Sequence, residues 1–197
     1  MPPARSQDGV TLLELMIVVA ILGVLATIAI FMFTRHADKA KASEVAAMFG
    51  ELKLREQAFH LENEEYLSTG DDDDDYFPTA SAPGKQPQTY DLAASGAPPA
   101  PQDTKYPGPA WVTLKMNPPK AELYCVYVAI AGAGGDDTNA GPKATAAPFS
   151  FGGVNLPIPV TNWFYLMAEC DFDEDGTPSR YFTLSDTEGT FKENPGE

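Results

Sequence analysis

Catalytic equipment is what this 197-residue chain has least of. It holds two histidines, His36 and His60, and two cysteines, Cys125 and Cys170, and no histidine lies near a cysteine in sequence. No nucleophile elbow and no phosphate-binding glycine loop is present, so the common constellations for covalent catalysis and nucleotide chemistry are excluded. Basic residues are scarce too: 13 Lys and Arg stand against 28 Asp and Glu, a formal charge of −15. Residues 70–197 alone hold 7 basic and 19 acidic side chains, a net −12. Nucleic-acid binding needs a cationic footprint, so DNA and RNA are not expected partners. The reading is a structural subunit with no reaction of its own.

Charge is almost absent from one stretch. Between Val10 and Phe33 the only ionisable side chain is Glu14. A helix of about 24 residues at roughly 1.5 Å each is long enough to cross a bilayer core. A secretory signal has a shorter apolar region and a small-residue cleavage site, whereas this run passes directly into Thr34-Arg35-His36-Ala37-Asp38-Lys39. A buried core helix rarely stays apolar on every face for this length. An ordinary signal anchor, with Glu14 near the interface, is the plainer alternative. A carboxylate inside a membrane helix is costly and usually marks a specific partner.

Gly9 followed by Val10-Thr11-Leu12-Leu13-Glu14-Leu15-Met16-Ile17-Val18-Val19-Ala20 resembles the processing site and N-terminal helix of type IV pilins and type II secretion pseudopilins. The resemblance implies a leader, Met1–Gly9, removed by a prepilin peptidase. It also implies a mature chain that begins with a methylated Val10 and carries Glu14 as its fifth residue. Val10 stands where the family usually has Phe or Met, and Phe31 where it commonly has Pro. Without that Pro the helix is expected to run on unbroken through Phe31. By the same resemblance, Val10 and Glu14 are the assembly residues. The Glu14 carboxylate pairs with the Val10 amine of a neighbouring subunit inside a dry helix bundle, where an unpaired charge is heavily penalised.

Orientation sets two rules against each other. Arg5 precedes the apolar run while Arg35, Lys39 and Lys41 follow it, which by the positive-inside tendency puts the C-terminal side in the cytoplasm. Long domains translocate largely regardless of charge, and a cysteine pair suits an oxidising compartment. With the family resemblance, these place the N-terminus inside and the head in the periplasm.

Past the membrane segment, Ala40–Tyr66 has no Pro, and Val45, Phe49, Leu52, Phe59 and Tyr66 recur at helical spacing on one face. Glu44, Lys53, Glu56 and Glu62 are placed on the other faces, and His60 on the helix surface. The run Asp71–Asp75 reads as a solvated loop, with cation attraction as the alternative. From Phe77 to Ala110 the chain is rich in Pro, Ala, Gly and Ser and reads as an exposed connection. Strands are expected at Trp111–Met116, Glu122–Ile130, Asn162–Cys170 and Ser179–Ser185.

The fold class is therefore α+β: a long N-terminal helix packed on an antiparallel sheet of about four strands, the pilin-like ladle. Its expected parts are a leader (1–9), a transmembrane and assembly helix (10–33), an amphipathic continuation (34–69) and an exported head (70–197). Cys125 and Cys170 on two strands argue for a disulfide, with two buried thiols as the alternative. Asp171, Asp173 and Asp175 alternate before Gly176-Thr177, the first half of a calcium loop. An EF-hand is excluded because Phe182 occupies its twelfth position. A calcium loop of another kind would be completed by the Thr177 carbonyl and by Asp186 or Glu188. A metal-free hairpin turn built on Asp175-Gly176 is the alternative.

The functional expectation is a subunit of a type IV pilus-like filament serving motility, adhesion or surface attachment. Its partners are copies of itself or related pilins, the prepilin peptidase and an inner-membrane assembly platform. A type II secretion pseudopilin, or a membrane-anchored calcium-dependent binding protein that never polymerises, are the alternatives.

Overall fold

The computed structural model describes residues 11–70, 75–79, 81–91, 110–135, 149–151, 154–156 and 159–193. The leader, Val10, the aspartates at 71–74 and the centres of the Pro-rich and Gly/Ala-rich stretches lie outside them. The chain divides into two compact units, Met1–Ala40 and Lys41–Glu197. Helix α1 (Leu12–Asn63) contributes to both and is unbroken through residue 31, as the absence of Pro there leads one to expect.

Helix α1 ends because Glu64 takes a left-handed conformation, φ 63°. Its N–H still reaches the His60 carbonyl at 2.8 Å, and Asn162 Nδ2 donates to the Glu64 carbonyl at 2.8 Å. Such a residue after a helix is usually Gly. Here a side chain from the sheet side holds the turn instead.

Within the second unit the short elements are β1 (Gln88–Thr89), α2 (Ala110–Thr113) and β2 (Glu122–Leu123), with β1 antiparallel to β2. Strands β4 (Phe149–Phe151) and β5 (Val154–Leu156) form a separate antiparallel pair. The main sheet has four antiparallel strands in the order β3-β6-β7-β8: β3 (Cys125–Gly132), β6 (Trp163–Cys170), β7 (Ser179–Leu184) and β8 (Phe191–Glu193). The strand count matches expectation, but the membership does not. Trp111–Met116 instead contains most of the single turn α2, closed by Leu114 N–H to the Ala110 carbonyl at 2.8 Å, and then Lys115 at φ 53°. Six residues with apolar positions at 111, 112, 114 and 116 satisfy both periods, so the pattern could not separate strand from helix. The fourth strand is instead β8, paired with β7 at the other edge of the sheet.

Side chains alternate across the sheet with period two. Cys125, Tyr127 and Ala129 of β3, with Phe164, Leu166, Ala168 and Cys170 of β6, join Val45, Met48, Phe49, Leu52 and Phe59 of α1 in one core. Val126, Val128 and Ile130, with Trp163, Tyr165, Phe182 and Leu184, make a second core on the opposite face. A sheet covered on both faces explains why its strands read as continuous apolar runs.

The outer edge of β3 is covered from Cys125 to Ala131. Glu44 Oε1 accepts from Cys125 N at 3.3 Å, Phe77 exchanges two backbone hydrogen bonds with Tyr127, and Thr69 and Ser68 serve Ala129 and Ala131. An edge strand left bare invites pairing with another chain, so this cover matters.

Candidate functional site

The first site is the start of α1. Thr11 caps the helix: its Oγ1 accepts from Glu14 N at 3.2 Å, and its carbonyl accepts from Leu15 N at 3.2 Å. Thr11-x-x-Glu14 is the capping-box spacing, a signal present in the sequence within the apolar run. Glu14 in the first turn also meets the positive end of the helix dipole. The carboxylate therefore has a local reason to sit there besides any intersubunit pairing.

From Leu12 to Ile30 the helix has a mean hydropathy of 2.7, and none of the described residues buries it. Leu12 is 79% exposed and Phe33, just beyond, 74%. Monomeric soluble proteins rarely expose apolar patches above a few hundred Å². This surface fits membrane anchoring, with lipid or other helices as its natural cover.

In the second unit the exposed positions of α1 between Ser43 and Leu61 are Ser43, Ala46, Ala47, Gly50, Leu54, Gln57, Ala58 and Leu61. None is charged, and Leu61 is 85% exposed. A surface helix normally turns charge to water. The sequence carries this signal in the spacing 47, 50, 54, 58 and 61.

The opposite side of the same helix corrects two expectations. Glu44 and Glu56, placed on outer faces by the sequence reading, are buried. Glu44 accepts from Tyr124 N at 3.1 Å and Tyr127 Oη at 2.8 Å as well as from Cys125 N. Glu56 accepts from Leu67 N at 3.0 Å. His60, expected on the surface, is partly buried and stacks on Tyr66 at 4.3 Å between ring centroids.

The second site follows the disulfide. Cys125 and Cys170 face each other directly across β3 and β6 and are bonded, with Cα atoms 4.5 Å apart. The chain then enters the acidic turn. Asp171 Oδ1 accepts from Glu174 N at 2.8 Å, Asp173 Oδ1 from Asp175 N at 3.1 Å, and Asp175 Oδ1 from Thr177 N at 2.7 Å. Gly176 has φ 80°, as Asp-Gly turns require. One carboxylate oxygen from each of Asp171, Asp173 and Asp175 lies within 4.8 Å of the others.

A clasp steadies this turn. Lys85 N donates to Glu174 Oε1 at 3.1 Å, and Lys85 Nζ donates to the Asp173 carbonyl at 3.1 Å and to Glu174 Oε2 at 3.4 Å. These bonds to Lys85 hold the exposed Glu174 carboxyl below its usual range. Gly84 has φ 78°, and a Cβ there would stand 3.0 Å from the Glu174 side chain. Asp186 and Glu188 face another partner, the Lys53 ammonium, whose Nζ also donates to the Thr187 carbonyl at 2.6 Å.

An apolar helix of bilayer length opening on a capped glutamate, followed by an α+β head, is a pilin-like arrangement that fits membrane anchoring. Residues 4–30 match the family model of the prokaryotic N-terminal methylation motif, the prepilin-type cleavage signature of type IV pilins and pseudopilins. No solved structure matches the chain. Gly9 and Val10, the expected processing pair, fall within the matched residues but outside the described structure.

Proposed function

We propose that the chain is the structural subunit of a type IV pilus-like filament, cut after Gly9 by a prepilin peptidase and polymerised through α1. The observation that carries this reading is the uncovered apolar surface from Leu12 to Ile30, matched by the methylation motif. As a monomer the subunit rests in the bacterial inner membrane with its head in the periplasm, and an assembly platform lifts it into a bundle of like helices. There Glu14 is neutralised by the Val10 amine of a neighbour, which fixes register because a misplaced charge in a dry bundle is costly. The uncharged outer face of α1 from Ser43 to Leu61 suits continued close packing beyond the bilayer. The assembled filament serves motility, adhesion or surface attachment.

Replacing the carboxylate tests the assembly role. Glu14→Ala leaves a membrane-resident protein and removes it from filaments sheared off the cell. Normal incorporation overturns the role of Glu14, and a mature chain that mass spectrometry finds still beginning at Met1 overturns the processing.

Calcium at the acidic turn is a second part of the proposal. Calcium–oxygen distances are about 2.3–2.6 Å, so oxygens within 4.8 Å of one another lie in reach of a single ion. Asp171, Asp173 and Asp175 would supply hard carboxylate ligands, each with one oxygen also fixed by the backbone, and the Thr177 carbonyl is the next donor along the turn. Bound calcium would rigidify the β6–β7 connection. Millimolar calcium is expected to raise the thermal midpoint of the wild type but not of Asp173→Asn; a midpoint unmoved by calcium overturns the site.

A further inference from the structure

Glu56 is the most unusual group in the head. It is a carboxyl with no exposed surface, set among the apolar side chains of the helix-facing core. Oε2 accepts one hydrogen bond, from Leu67 N at 3.0 Å, and Oε1 has no partner. Buried polar atoms without partners are few in folded proteins, and each asks for an explanation.

The place where that single bond is spent supplies one. Leu67 lies just past the left-handed turn at Glu64, in the segment that runs from the end of α1 to the outer edge of β3. Thr69 N donates to the Ala129 carbonyl at 2.7 Å, Thr69 Oγ1 accepts from Ala129 N at 2.8 Å, and Ser68 Oγ accepts from Ala131 N at 2.9 Å. Glu56 thus holds one side of a strap whose other side seals an edge strand.

We propose that Glu56 is a proton-operated latch: while its carboxyl is protonated it stays buried with residues 66–70 seated against the outer edge of β3, and loss of that proton leaves a buried anion with a single donor, which draws in water and releases them. An anion there has one donor, Leu67 N, and no cation among the described residues. Lys53, one turn earlier on α1, is occupied by the Thr187 carbonyl with Asp186 and Glu188 beside it. His60, one turn later, keeps its buried Nδ1 without a partner and is stacked on Tyr66. Tyr66, from the strap itself, feels the Glu56 charge unfavourably and packs edge-on against Phe164 of β6 at 4.7 Å. Tyr127 of β3 is committed to Glu44. Among the described residues no cation offsets the burial, which raises the Glu56 carboxyl from an ordinary 4.5 to about 8, the Leu67 bond opposing only in part.

The latched state therefore binds the proton more tightly than the released one. Its advantage is complete below about 4.5, shrinks through the window up to about 8, and is gone above it. Release bares the N–H and C=O groups of Ala129 and Ala131, a template for an incoming strand.

Amide hydrogen exchange on the full chain in detergent micelles tests the latch. Between about pH 5.5 and about 7.5, protection of the Leu67 and Thr69 amides, corrected for intrinsic exchange, is expected to fall about tenfold per pH unit. Val128, in the β3–β6 ladder, is expected to hold steady, and Glu56→Gln to give a flat profile at Leu67. A flat wild-type profile, a slope that survives in Glu56→Gln, or a parallel fall at Val128 overturns the proposal. Should Glu56→Gln not fold, infrared spectroscopy of the wild type decides: a protonated carboxyl C=O band must be present at pH 7 and lost by pH 9, and its absence at pH 7 overturns the latch.

Discussion

Glu44 gathers two backbone N–H groups and a phenol onto one carboxylate, which makes it a joint between α1 and β3. Burial, reinforced by the Glu44 charge, keeps the Tyr127 hydroxyl well above its ordinary pKa, so it remains a donor. Glu44→Ala strands these donors inside the core, and each unsatisfied buried group costs about 1–3 kcal/mol. Denaturant unfolding of the full chain in detergent is expected to show a loss of about 3 kcal/mol or more, whereas a loss below about 1 kcal/mol shows that water replaces the carboxylate. None of this was legible in sequence. Residue type alone places a glutamate on a wet helix face, and only the arrival of the β3 edge beside residue 44 makes the buried position favourable. Glu14 shows the converse, because its spacing from Thr11 already specifies the cap that the structure forms.

At the scale of elements, β3 and β6 are the pair on which the head is built, and Cys125–Cys170 joins them at one end. The bond spans a sequence separation of 45, and closing a loop of that size constrains the unfolded chain by about 4 kcal/mol. Its even cysteine count made the disulfide foreseeable, though not its exact register. At the other end Gly132 opposes Trp163, and a Cβ on Gly132 would stand 2.3 Å from the indole. Trp163 is fully buried and donates Nε1–H to the Ala133 carbonyl at 3.1 Å, so it has little room to move. Gly132→Ala is expected to cost about 1–3 kcal/mol through overpacking. A thermal midpoint equal to wild type counts against a tight fit there. The long strands announced themselves by uninterrupted apolar, β-branched and aromatic runs. Strand β8, Phe191-Lys192-Glu193, has three residues and one apolar side chain, too little for any periodicity to register.

For the whole molecule, charge and hydropathy are divided along the chain, with the apolar run at the start and most of the acidity in the head. The sequence by itself determined the long apolar helix, the methylation motif, the α+β class and the cysteine pair, because each rests on a local run, a fixed spacing or a count. Tertiary structure alone decided which strands share the sheet, that Trp111–Met116 coils into a helical turn, and that Glu44 and Glu56 lie inside. Those outcomes depend on contacts between residues far apart in sequence, where burial and the need to satisfy edge groups outweigh local preference. Glu56 marks the boundary between the two. Its spacing from Leu52 and Phe59 is helical, but only the fold brings Leu67 N within 3.0 Å to donate to its carboxyl.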